Sequence, residues 1–115
     1  MSLTIYHNPR CSKSRQTLQL IEAAGQSPDI VLYLENPLGE DDIATLVAQL
    51  GFDSVRQLMR TGEAIYKELN LKVEMDEQAL LKAMAAHPKL IERPIVVKGG
   101  EAVLGRPPEN VNIFL

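Results

Sequence analysis

The chain contains one cysteine, Cys11, in the stretch Tyr6-His7-Asn8-Pro9-Arg10-Cys11-Ser12-Lys13-Ser14-Arg15. A thiolate is a nucleophile and a neutral thiol is a poor one, so the question is what surrounds the sulfur. Arg10, Lys13 and Arg15 place three cations within four residues of it. Ser14 offers a hydroxyl from the next turn, and His7 can donate if it is protonated. The same cationic groups suit a tetrahedral oxyanion, because guanidinium forks and free backbone N–H groups match its oxygens. One turn can therefore present a nucleophile together with a seat for an anionic substrate.

Such a turn has to be held by regular structure. Leu3-Thr4-Ile5-Tyr6 is β-branched and aromatic, which predicts a strand. Leu18, Ile21 and Ala24 recur at three-residue spacing and Gly25 follows, which predicts a helix over 12–24. Cys11 then lies at or just before a helix N-terminus, where unpaired N–H groups and the helix dipole favour an anion. Asp29-Ile30-Val31-Leu32-Tyr33-Leu34 predicts a second buried strand, parallel to the first after the crossover.

Downstream, Glu40, Asp41 and Asp42 open a helix with an apolar face of Ile43, Leu46, Val47 and Leu50, closed by Gly51. Asp53 is the expected cap of a short helix carrying Val55, Leu58 and Met59. A further helix over 63–69 should bury Ile65 and Leu69, and residues 70–75 read as a loop. Asp76 caps a helix with Leu80, Leu81 and Met84 inward, ending at His87-Pro88. A strand over 94–98, the turn Gly99-Gly100 and a returning strand over 101–104 predict a hairpin. Pro107-Pro108 opens a last helix with Val111 and Phe114 or Leu115 inward. The fold class is α/β (α+β): one domain over 1–115 with a mixed sheet and a helical insertion at about 40–87.

Composition narrows the functions. The chain has 115 residues, a net charge of −3, 45% hydrophobic and 23% charged residues. That suits a soluble domain and argues against general nucleic-acid binding. No apolar run reaches 18 residues and no signal pattern opens the chain, so the expected location is the cytoplasm, away from membranes. A lone cysteine excludes an internal disulfide, so any redox cycle must borrow an outside thiol. Ser14 stands where a Cys-x-x-Cys pair would need its second cysteine. Thr17 stands where a Cys-x5-Arg phosphatase loop would need arginine. His7, Cys11 and His87 lack zinc-ligand spacing, and no metal is expected. Arg60, Arg93 and Arg106 each stand at a junction between elements, where functional side chains gather.

The cysteine stretch, together with Tyr33-Leu34-Glu35-Asn36-Pro37, Leu58-Met59-Arg60, the run from Pro88 to Val97 and Gly105-Arg106-Pro107-Pro108-Glu109, resembles the glutaredoxin-linked arsenate reductase family. The resemblance runs in register over nearly the whole chain. It implies a thioredoxin-like fold with a helical insertion and a cis peptide before Pro94. It implies that Cys11 is the catalytic nucleophile, that His7 and Ser14 lower its pKa, and that Arg60, Arg93 and Arg106 hold the oxyanion. It further implies reduction of arsenate to arsenite, with glutathione as cosubstrate, glutaredoxin as protein partner and no bound cofactor. The alternative is a thioredoxin-fold protein acting in thiol redox chemistry or regulation on another substrate or a protein partner.

Overall fold

The computed structural model describes residues 2–115. Contacts between residues divide the chain into two units, Met1–Asn36 with Arg93–Leu115, and Pro37–Glu92.

The first unit is built on a four-stranded sheet in the order β2-β1-β3-β4. Strand β1 is Leu3–Tyr6, helix α1 is Ser12–Ala23, and β2 is Asp29–Val31. Strands β3, Ile95–Lys98, and β4, Glu101–Leu104, form the hairpin. β1 pairs in parallel with β2 and antiparallel with β3, which pairs antiparallel with β4. The alternation in β1 sends Leu3 and Ile5 into the core, as period-two strand geometry requires. They meet Ile21, Val96, Val111 and Phe114 there.

Helix α1 ends one residue earlier than expected, with Ala24 as its C-cap and Gly25 at φ 81°, a conformation that favours glycine. Its buried residues are Ser14, Thr17 and Ile21, with Leu18 only partly buried. The last helix is a 3-10 segment, Pro108–Phe114, burying Pro108, Val111 and Phe114. Lys98 Nζ donates to the Phe114 carbonyl at 3.0 Å.

Strand β2 is shorter and more exposed than expected. It stops at Val31 because the carbonyl of Leu32 accepts from the N–H groups of Glu35 and Asn36, closing a turn. Ile30 is 48% exposed on this edge strand, while Tyr33 is buried.

The second unit is helical. Helix α2, Glu40–Gln49, packs on α4, Glu77–Ala86, and α3 is Ala64–Glu68. Asp76 caps α4 by accepting from the Gln78 N–H, and Leu80, Leu81 and Met84 are buried. The segment after Gly51 differs from expectation. It is a 3-10 turn, Val55–Leu58, capped by Ser54, whose Oγ accepts from the Arg56 N–H. Asp53 instead donates its backbone N–H to Gln57. On α3 the buried residue is Tyr66, and Leu69 is 43% exposed. Asn70 takes the left-handed conformation, and Leu71–Val73 forms a 3-10 turn in the stretch read as loop. Arg56 organises this region by donating to Tyr66 Oη and to the carbonyls of Leu71 and Glu74.

Candidate active site

Cys11 is the N-cap of α1, in extended conformation and partly buried. Two hydrogen bonds place it: its N–H donates to the Asn8 carbonyl, and its carbonyl accepts from the Arg15 N–H, both at 3.0 Å. Asn8 is the organiser of the turn. Its Oδ1 accepts from the Arg10 N–H at 3.0 Å and its own N–H donates to Ser14 Oγ at 3.0 Å.

The Cys11 thiol has a pKa below the ordinary cysteine value. Burial is the largest single influence and pushes it up. It is outweighed by the Ser14 N–H, by the Arg93 guanidinium through hydrogen bonding and charge, and by the Lys13 N–H. Both amides belong to the first turn of α1, at the end where its N–H groups are open. Arg106 Nη1 lies 4.0 Å from Cys11 Sγ and donates to the Arg93 carbonyl at 3.3 Å.

The cations nearest in sequence are not the ones that act on the sulfur. Arg15 donates to the Pro9 carbonyl at 2.9 Å and so buttresses the turn. The charge that reaches the thiol comes from Arg93, more than 80 residues away in the chain. His7 also differs from the role of a cationic donor. It is buried, and its Nδ1 lies 2.6 Å from Ser14 Oγ. Burial first and the Arg15 charge second lower its pKa, against a smaller opposing effect of Glu22, so His7 is chiefly neutral at pH 7. Ser14 is fully buried, and its hydroxyl is engaged by His7 and Asn8, while its N–H acts on the sulfur.

Arg93 and Arg106 each precede a cis proline, Pro94 and Pro107. The Arg93 Nε is buried without a hydrogen-bond partner. A buried unpaired donor costs about 1–3 kcal/mol, and an oxyanion oxygen would satisfy it. Arg60 lies in the other unit. Its N–H donates to the Leu90 carbonyl beside the Met59–Ile91 bridge, its Nη1 is 3.8 Å from Glu92 Oε1, and its Nε is likewise buried and unpartnered. The first unit thus brings together His7, Cys11, Ser14, Arg93 and Arg106. Among the described residues no group of three or more His, Cys, Asp or Glu is placed to hold a metal, and no helix is long and apolar enough to cross a membrane.

Two residues named in the sequence for other reasons have a packing role that the sequence did not show. Thr17 is fully buried, and its Oγ1 donates to the Lys13 carbonyl at 2.8 Å. Gly105 is packed so closely that a Cβ would lie 2.4 Å from Thr17 Oγ1 and 2.7 Å from Pro94 Cγ. Its N–H donates to the Pro94 carbonyl at 2.9 Å. An isolated glycine at a strand end, just before Arg106, was the available signal.

Comparison with known proteins gives one consistent match. The family model described as "ArsC family" matches residues 6–114. A protein of Escherichia coli K12 named "Uncharacterized protein YfgD" is 55% identical over 108 residues, covering 93% of this chain and 91% of that protein. A Haemophilus influenzae protein named "Arsenate reductase" is 49% identical over 112 residues, covering 96% and 97%. The solved structure titled "Arsenate reductase from Vibrio cholerae" superposes with a TM-score of 0.96 at 52% identity, covering 100% of this chain and 98% of that one. The thioredoxin-like fold expected from the sequence is thereby shown.

Proposed function

Because the chain belongs to the ArsC family, we propose that it is an arsenate reductase that uses Cys11 as nucleophile and takes its electrons from glutathione and glutaredoxin. The observation that carries this reading is the sulfur itself: a helix N-cap thiol with a lowered pKa, within reach of Arg93 and Arg106. Relatives named for arsenate reduction cover nearly the whole chain, which supports the substrate.

In the first step the Cys11 thiolate attacks arsenic of dihydrogen arsenate. A sulfur–arsenic bond forms, an arsenic–oxygen bond breaks, and the departing oxygen takes up a solvent proton and leaves as water. Arsenic remains in the +5 state. Arg93 and Arg106 neutralise the oxygens as charge redistributes. Asn8, Ser14 and His7 hold the turn so that the sulfur and the first-turn amides keep their relation. Glutathione then attacks the adduct and a glutaredoxin thiol completes the transfer. Two thiols lose two electrons and two protons and become a mixed disulfide; arsenic falls to +3 and leaves as arsenite, and the Cys11 thiolate is restored. Written with neutral acids, one arsenic acid and two thiols give one arsenious acid, one disulfide and one water. The chain has a single cysteine, so the outside thiols are required. Phosphate matches arsenate in shape and charge, so the arginines discriminate poorly; only arsenic is readily reduced by thiols, and selection falls to the chemistry.

The test is NADPH consumption with glutathione, glutathione reductase and glutaredoxin, with and without arsenate, for wild type and Cys11→Ser. Arsenate-dependent turnover that vanishes in Cys11→Ser is the expected result. Turnover that persists in Cys11→Ser would overturn the mechanism. Turnover of glutathionylated protein with no dependence on arsenate would replace the substrate.

A further inference from the structure

The thiol that relieves the Cys11 adduct needs a seat, and the structure holds a cavity of about 290 Å³ directly before the cysteine. One wall is the turn itself, Asn8, Pro9 and Arg10; the other is Leu32, Leu34 and Glu35, where the chain turns after β2. Both walls belong to the first unit. Its volume lies near the small end of ligand cavities, about 300 Å³.

The chemistry of the walls is specific. Arg10 supplies a guanidinium and Glu35 a carboxylate, both exposed. Among the described residues neither charge is held in an ion pair. Leu34 is 38% exposed, a large apolar side chain left open at this cavity. The pattern fits a ligand with a carboxylate, an ammonium and a short aliphatic stretch: the carboxylate to Arg10, the ammonium to Glu35, the methylenes over Leu32 and Leu34. A γ-glutamyl tripeptide thiol carries those groups. His7, Asn8, Pro9 and Arg10 all line the cavity, so it opens on the turn that leads into Cys11.

We propose that this cavity is the seat of the glutathione cosubstrate, read through Arg10 and Glu35. The proposal rests on the reductase reading for the use of that thiol, but binding can be tested without arsenate. The probe is S-methylglutathione, which has no free thiol, titrated into 15N-labelled Cys11→Ser protein and followed by NMR. The expected result is a set of amide shifts centred on Arg10, Leu34 and Glu35. Adding Glu35→Lys or Arg10→Glu should weaken binding about fivefold, the scale of an exposed charge reversed. Shifts that are absent, or centred elsewhere, would overturn the seat. Kinetics give a second readout: in either charge-reversal variant the kcat/KM for glutathione, divided by that for 2-mercaptoethanol, should fall about fivefold. An unchanged ratio would overturn the proposal as well. Centred shifts in a protein that does not turn over arsenate would support the seat and remove the reductase reading.

Discussion

Gly105→Ala tests whether the arginine pair is held by close packing. The new methyl would meet Thr17 Oγ1 at 2.4 Å, Pro94 Cγ at 2.7 Å and Thr17 Cγ2 at 3.1 Å. Neither neighbour is the free end of a flexible chain. Thr17 is fully buried and its hydroxyl is tied to the Lys13 carbonyl, and the proline ring is buried too. Overpacking costs typically about 1–3 kcal/mol, and two contacts below 3 Å against stiff groups put this case near 3. For a domain of this size that corresponds to a drop in Tm of roughly 12 °C, at about 4 °C per kcal/mol. The strain also reaches the site. The Gly105 N–H holds the Pro94 carbonyl, and the flanking residues are Arg106 and Arg93. Separating the two strands moves Arg106 away from Cys11 Sγ and the Arg93 carbonyl, so the rate of thiolate alkylation at pH 7 should fall in the folded variant. Thermal unfolding and iodoacetamide kinetics measure the two effects. In a Thr17→Ala background most of the clash is gone, and Gly105→Ala should cost at least ~1 kcal/mol less, a coupling typical of residues in contact. A loss below about 1 kcal/mol in the wild-type background, or strict additivity with Thr17→Ala, would refute the packing account.

Arg93→Ala should raise the Cys11 pKa, since a hydrogen bond and a charge that favour the thiolate are removed; thiolate absorbance near 240 nm against pH reads the midpoint. Under the proposed mechanism Arg93 also binds the oxyanion, so kcat/KM for arsenate should fall by about 100-fold or more. The same thiol makes stability depend on pH. Its folded pKa lies below the unfolded value, so its contribution is fully present above the unfolded pKa and is lost as pH falls through the folded one. The stability of wild type minus that of Cys11→Ser should therefore rise with pH between those two values and stay flat on either side; urea unfolding across that range measures it, and a falling difference would contradict the assignment. Arg56→Met should destabilise the helical unit by about 2–3 kcal/mol, because Tyr66 Oη and the carbonyls of Leu71 and Glu74 lose their donor at roughly 1 kcal/mol each. The midpoint of urea denaturation reports it.

Much of the frame was legible because local rules and tertiary packing agree. The cap position of Cys11, the stop at Gly25, the Asp76 cap and the Gly99-Gly100 hairpin each follow from a signal of a few residues, and the fold keeps them. The departures occur where a competing hydrogen bond decides. The Leu32 carbonyl closes a turn and cuts β2 short. Ser54 takes the cap expected of Asp53, since its hydroxyl reaches the Arg56 N–H while Asp53 is drawn to Gln57. On α3, Tyr66 is inside and bonded to Arg56, and Leu69 falls outside the five-residue helix.

The site divides in the same way, and the reason is distance along the chain. That a cysteine follows a strand and opens a helix can be read locally, and so can the availability of N–H groups. Which cations act on the sulfur cannot. Arg10, Lys13 and Arg15 are close in sequence, yet a helix N-terminus splays successive side chains around its axis, and Arg15 turns back to the Pro9 carbonyl. Arg93 reaches the thiol because β3 lies beside β1 in the sheet, pairing Tyr6 with Ile95. That register sets the residue two before Ile95 near the turn that follows Tyr6. Arg106 arrives by the next pairing, Ile95 with Leu104, followed by Gly105, whose missing side chain lets the chain pass Thr17 and Pro94. The local helix start supplies the amides that act on Cys11, and two sheet registers and one glycine bring the distant arginines to it. A one-residue slip in either pairing would turn its strand's side chains to the opposite face and carry the arginine away from the sulfur, leaving the local sequence around the cysteine untouched.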